Sequence, residues 1–147
     1  MQSPPPVHPA TTLLREILNL TDDFEAHLGR ELTVNRTDLE AMEHLIQDGP
    51  LSPTDLARRL GLTTAATTTV VDRLIAVGHV TREPHATDRR GVVIVPKPAS
   101  IAKAMGTLLP MIRGIDGAIA SFSADQQETI TAYLTEVARI YRAQLPD

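Results

Sequence analysis

Two stretches of the chain carry side chains suited to recognising a polyanion. In "REPHATDRRGVVIVP", residues 82 to 96, Asp88-Arg89-Arg90-Gly91 stands at an expected turn, directly before a run of apolar and β-branched residues. Two arginines at such a tip are an ordinary solubility device, and they are also what a phosphate or a groove of DNA requires. Upstream, threonines at positions 63, 64, 67, 68 and 69 crowd one short segment. Threonine is a poor helix former, so a helix there spends local propensity on something else. Its short hydroxyl side chains permit close approach to a surface, and each can donate to or accept from a base edge or a phosphate.

These groups need elements to hold them. "LSPTDLARRLG" opens with Ser52 as cap, Pro53 at the first helical position and Asp55 in the first turn, which together predict a helix start. Leu56, Ala57 and Leu60 face inward, and Gly61 ends it. "TTAATTTVVDRLIAVG" follows almost at once, capped by Thr63 or Thr64 and closed by Gly78. Its expected apolar face is Ala66, Val70, Leu74 and Val77, widened by Val71 and Ile75. Two short helices with a tight turn at Gly61 must cross at a large angle, the helix-turn-helix arrangement. After Gly78 the period changes. "HVTRE" and "RGVVIVP" flank the turn-rich "PHATDRR", predicting a hairpin with charge at its tip and Val80, Val93 and Val95 on the buried face. Pro96 and Pro98 end the second strand, and Pro98 suits the opening of a further helix.

The chain ends are helical in pattern. "TTLLREILNLTDDFEAHLG" spaces Leu13, Leu14, Ile17, Leu18, Phe24 and Leu28 for an amphipathic helix. "VNRTDLEAMEHLIQDGP" offers Asn35 as cap with Asp38 three residues on, an approximate capping box, then a core stripe of Leu39, Met42, Leu45 and Ile46. "SIAKAMGTLLPMIRGIDGAIASF" predicts a long helix that Pro110 is expected to kink. "SADQQETITAYLTEVARIYRAQL" begins with a full capping box of Ser123 and Gln126, and carries Ile130, Leu134, Val137 and Tyr141 at helical spacing. The first helix and the last two are richly apolar yet lie outside the central unit. A two-fold dimer of the chain ends would bury them, and would set two recognition helices about one turn of DNA apart.

Composition narrows the function. The 147 residues are 42% apolar, enough for a folded core, with no stretch long enough to span a membrane. Cysteine is absent, which excludes disulfides, thiolate metal sites and cysteine redox sensing. "MQSPPPVHPA" reads as a Pro-rich disordered lead rather than a secretion signal, and the expected location is cytoplasmic. Net charge is −4, but residues 50 to 97 hold seven basic and four acidic side chains against seven and fourteen elsewhere, a positive middle between acidic ends. The histidines at 8, 27, 44, 79 and 85 have no zinc-signature spacing, so no metal and no cofactor are expected. His85 in the hairpin could touch phosphate when protonated, and His27 and His44 lie on helices whose junction could border a ligand pocket. One of Arg58 and Arg59 is expected to approach the DNA backbone, the other to face solvent or Asp55. Asp72 and Arg73 could be structural ion-pair partners. There is no Gly-rich phosphate loop, paired carboxylate motif or serine with an identifiable base, which excludes an enzyme.

Residues 34 to 95, "VNRTDLEAMEHLI" and then "LSPTDLARRLGLTTAATTTVVDRLIAVGHVTREPHATDRRGVVIV", resemble the MarR-type winged-helix transcriptional regulators. The most specific match is Asp72-Arg73-Leu74, Gly78, Arg82 and Asp88-Arg89-Arg90 before a strand. The resemblance implies a mainly α (α+β) winged helix, with a helix-turn-helix and β-hairpin wing flanked by N- and C-terminal dimerisation helices. It implies a homodimeric repressor on double-stranded DNA, with a pseudo-palindromic promoter site, released by a small phenolic or other amphipathic effector. Thr63, Thr64, Thr67 and Thr68 would face the major groove. Arg89 and Arg90 would be the wing arginines, and Arg58 and His85 further DNA contacts. Asp88 would hold a nearby arginine by an ion pair, with Asp72 also supporting the wing, and Arg73 would support the wing or reach the backbone. Residues 1–10 are then a lead, 34–98 the DNA-binding domain, and 11–33 with 99–145 the dimerisation region. Two positions depart from the pattern. Thr69 stands where many members carry arginine, and Pro96 replaces the threonine that usually caps the following helix, which could therefore start late. Lack of cysteine excludes the thiol-switch members as a guide. The main alternative is a winged-helix protein–protein adaptor without specific DNA binding, favoured by the acidic total and by Thr69.

Overall fold

The computed structural model describes residues 5–88 and 90–146. Six helices and one hairpin follow in the order α1 (Pro9–Leu32), α2 (Arg36–Asp48), α3 (Pro53–Leu60), α4 (Thr64–Val77), β1 (Val80–Pro84), β2 (Val92–Pro96), α5 (Pro98–Ala120) and α6 (Ala124–Gln144). The chain forms two compact units, one running to Met105 and the other from Gly106.

The helix starts follow the capping logic of the sequence. Asn35, Ser52 and Thr63 each accept a backbone N–H three residues on, and Pro53 opens α3. Ser123 and Gln126 complete both halves of a capping box at α6. The start of α1 departs from expectation. His8 caps it through Nδ1, with Pro9 at the first helical position, so the helix enters the segment read as a disordered lead. α5 begins at Pro98 and continues as helix past Pro110 to Ala120.

The core of the first unit gathers Ala41, Met42 and Leu45 of α2, Leu56 of α3, Val70, Val71 and Leu74 of α4, Val80 of β1 and Ile94 of β2. Two expected faces are corrected here. On α4 the buried stripe is Thr67, Val70, Val71 and Leu74, while Val77 is exposed and Ala66 only half-buried. On β2 the buried residues are Ile94 and Pro96, with Val93 and Val95 half-buried. Strand side chains alternate, so a one-residue error in the assumed face exchanges the whole set. Val80 pairs with Pro96 and Arg82 with Ile94 across the hairpin. Ile94 also exchanges both backbone hydrogen bonds with Leu51, which adds a single bridging residue on the other edge of β2.

His79, between α4 and β1, is a buried polar joint. One ring nitrogen, Nε2, lies 2.6 Å from the carbonyl oxygen of Leu32 at the end of α1, and Nδ1 lies 2.8 Å from the hydroxyl of Ser100 in the first turn of α5. A carbonyl can only accept, so Nε2 carries the hydrogen, and a neutral ring then receives the Ser100 hydroxyl hydrogen at Nδ1.

Candidate nucleic-acid interface

α3 and α4 meet at 104°, within the range of a helix-turn-helix. The turn depends on Gly61, whose φ of 65° lies in the left-handed region and whose N–H closes α3 on Ala57 and Arg58. With Val70, Val71 and Leu74 in the core, α4 presents Thr64, Ala65, Thr68, Thr69 and Asp72 on its exposed side. Thr63 is also exposed, and its hydroxyl oxygen caps the helix by accepting from the Ala66 N–H at 3.1 Å. Thr67 is a correction. It is fully buried, with its hydroxyl donating to the Thr63 carbonyl at 2.9 Å, so it belongs to the core and not to an outward face. Ala65 and Thr69 join the exposed face instead.

Ion pairs link the elements of this unit. Arg73 places Nε and Nη2 2.9 and 2.8 Å from the two carboxylate oxygens of Asp38, tying α4 to α2. Arg73 therefore braces α4 against α2, the structural ion pair that was one of the roles expected for it. These bonds also raise its guanidinium above the ordinary range. Asp72 accepts from Arg82 at 2.6 Å, which links α4 to β1 at the root of the wing. Arg58 pairs with Asp55 at 3.0 Å, and Arg59 with Asp48 at 2.6 Å. Of the cations in the positive middle, Arg90 and Lys97 carry no ion-pair partner among the described residues.

The wing tip is a hydrogen-bonded turn. His85 Nδ1 accepts from the backbone N–H groups of Thr87 and Asp88, each at 3.2 Å. Accepting at Nδ1, His85 organises the turn. Asp88 Oδ1 accepts from the backbone N–H of Arg90 at 3.0 Å. Among the described residues Asp88 thus shapes the turn, and the expected ion pair with a guanidinium is not seen. Gly91 sits at a close approach, where a Cβ would stand 3.0 Å from the Cβ of His85. Arg90 is exposed at this tip. Arg89 lies outside the described residues.

A shallow groove between α1 and α2 is lined by Glu25, Arg36, Leu39, Glu40, Glu43 and His44. Burial, then the Glu25 and Glu40 carboxylates, push Glu43 above the usual carboxylate range, against a smaller opposing influence of His44. His27 is exposed and does not line it. Among the described residues, no three His, Asp or Glu side chains are placed to hold a metal, and no single helix is long and apolar enough to cross a membrane.

A profile of the MarR family matches residues 32–91. Over 136 residues the chain is 30% identical to YcgE of Bacillus subtilis strain 168, an uncharacterized HTH-type transcriptional regulator, covering 92% of this chain and 88% of that one. In structure it is similar to RV1404 of Mycobacterium tuberculosis, with TM-score 0.71 and 20% identity over 95% of this chain and 97% of that one. It is similar also to the S. aureus MepR–DNA complex, with TM-score 0.69 and 17% identity over 89% and 98%. MarR of E. coli in its apo form gives 0.58 and 20% over 90% and 98%.

Proposed function

The chain belongs to the MarR family of winged helix-turn-helix DNA-binding transcriptional regulators, and on that premise we propose that it works as a homodimeric, ligand-responsive repressor. One observation carries the DNA-binding part of this reading. The exposed hydroxyl face of α4 and the Arg90-tipped wing leave one compact unit, with the wing rooted on α4 by the Asp72–Arg82 pair. Thr63, Thr64 and Thr68 would approach the major groove and Arg90 the adjacent minor groove, with Arg89 beside it. Such phosphate and groove contacts position the protein, while base edges specify the sequence. S. aureus MepR, of the same fold, has been crystallised on DNA.

The homodimer is supported by apolar side chains left half-exposed on helices outside the DNA-binding region, among them Leu13 and Ile17 of α1, Ile115 of α5, and Leu134 and Tyr141 of α6. A two-fold pair would present two copies of α4 to a pseudo-palindromic site. A small amphipathic or phenolic effector would release the DNA if it bound better to a dimer whose two recognition helices no longer match successive grooves. A DNA ligand of this kind implies a cytoplasmic protein. The adaptor reading keeps one point in its favour, since Arg73, the cation that α4 carries, is occupied by Asp38.

Gel-shift titration against the region upstream of its own gene, with sedimentation of free protein, tests the proposal. Sequence-selective binding by a dimer supports it. Binding that is absent, or non-specific and confined to low salt, supports the adaptor.

A further inference from the structure

The exposed face of α4 has a hydrogen-bonding polarity. Thr68 donates its hydroxyl hydrogen back to the Thr64 carbonyl at 2.9 Å, and Thr69 donates to the Ala65 carbonyl at 3.3 Å. A hydroxyl has one hydrogen and two lone pairs, so these two groups turn only acceptor capacity and a γ-methyl outward. Ala65 adds a third methyl to the same face. From Thr63 to Val71 there is no Arg, Lys, Asn or Gln, and the next cation, Arg73, is held by Asp38. The side chains that make bidentate pairs with guanine O6 and N7, or with adenine N6 and N7, are therefore absent from the first two turns.

We infer that α4 reads A·T pairs, by methyl contact with thymine and by accepting adenine amino hydrogens, and that it selects against guanine beneath its first two turns. The inference rests on the DNA-binding reading above and concerns its specificity. Guanine would turn two acceptors toward hydroxyls whose hydrogens are already committed to the helix, and those acceptors lose water without gaining donors. Thr63, whose hydroxyl only accepts from Ala66, and Thr64 each keep a hydrogen to give, and single donors on separate side chains do not replace the fixed fork of a bidentate pair. Thymine offers the complement, because its C5 methyl packs against the methyls of Ala65, Thr68 and Thr69, while its adenine partner offers an amino group to the outward lone pairs.

The test uses the full chain. Duplexes bound from a random pool are sequenced, and thymines within the recovered half-sites are then replaced singly by uracil, which keeps base pairing and lacks the C5 methyl. A·T pairs should dominate the helix-facing positions, and at least one uracil should weaken binding about three- to fivefold, the worth of one buried methyl group. T68S, which keeps the hydroxyl and lacks the methyl, should lose a similar factor and its response to that uracil. T68V, which keeps the methyl, should retain the response. Enrichment of guanine at those positions, or equal affinity for uracil and thymine sites, overturns the inference while leaving the regulator reading intact. Recovery of no preferred sequence overturns both.

Discussion

Thr67 and Thr68 are adjacent copies of one side chain, and the helix sends them in opposite directions. Each residue advances the helix by about 100°, so Thr67 falls in phase with Val70, Val71 and Leu74 while Thr68 turns outward. Apolar letters alone select Ala66 for the stripe and miss a threonine serving as core; counting back three and four positions from Val70 and Val71 finds it. The wing is easier, because Asp88, Gly91 and the flanking β-branched runs announce a turn whatever the register. At this scale the sharpest expectation concerns Arg90. R90A should leave thermal stability unchanged, since the side chain is exposed and unpaired among the described residues. It should weaken DNA binding and make the slope of log affinity against log salt shallower by about two units per dimer, one for each phosphate that the arginine no longer neutralises. Titrations at several salt concentrations would show this, and an unchanged slope would remove Arg90 from the interface.

Pairs between elements are the least legible part of the sequence. Asp38 and Arg73 lie 35 positions apart, and no spacing rule joins them. Leu51 makes a one-residue bridge too short to carry a strand pattern. The helix-turn-helix itself is plain, because its caps and glycines are local signals. The Asp38–Arg73 pair is unequal, the carboxylate being 4% exposed and the guanidinium 45%. R73L should therefore destabilise more than D38L, because arginine can return to water while the stranded carboxylate cannot; an unpartnered buried polar group costs about 1–3 kcal/mol. Urea denaturation of the two single variants and the double should show the ordering, with D38L added to R73L recovering part of the loss. Glu43 on α2 yields a pH expectation. Its folded-state pKa is raised, so its contribution is intact at acid pH below the unfolded value and is lost as pH rises through the raised one. E43Q should accordingly raise the melting temperature over wild type at pH 7, with the difference closing near about pH 4. Thermal melts of both proteins at the two pH values would check the sign.

For the molecule as a whole, the central unit buries most of its apolar surface, while the terminal helices leave much of theirs exposed. α6 has no buried residue, and Leu134 on it is 52% exposed. L134E should fold, sediment as a single copy and give a footprint of half the length, whereas a stable dimer would move the interface elsewhere. Amphipathic spacing in the sequence reveals the apolar faces of these helices without naming what covers them. The junction at His79 bears on how such an assembly would speak to its DNA-reading parts. The end of α1 and the beginning of α5 are both fastened to one imidazole, and that imidazole lies in the two-residue span that finishes α4 and launches β1. A displacement of either long helix must drag this ring or tear one of its two bonds. The ring is a common axle for α4 and the wing, so the two would move together rather than one after the other.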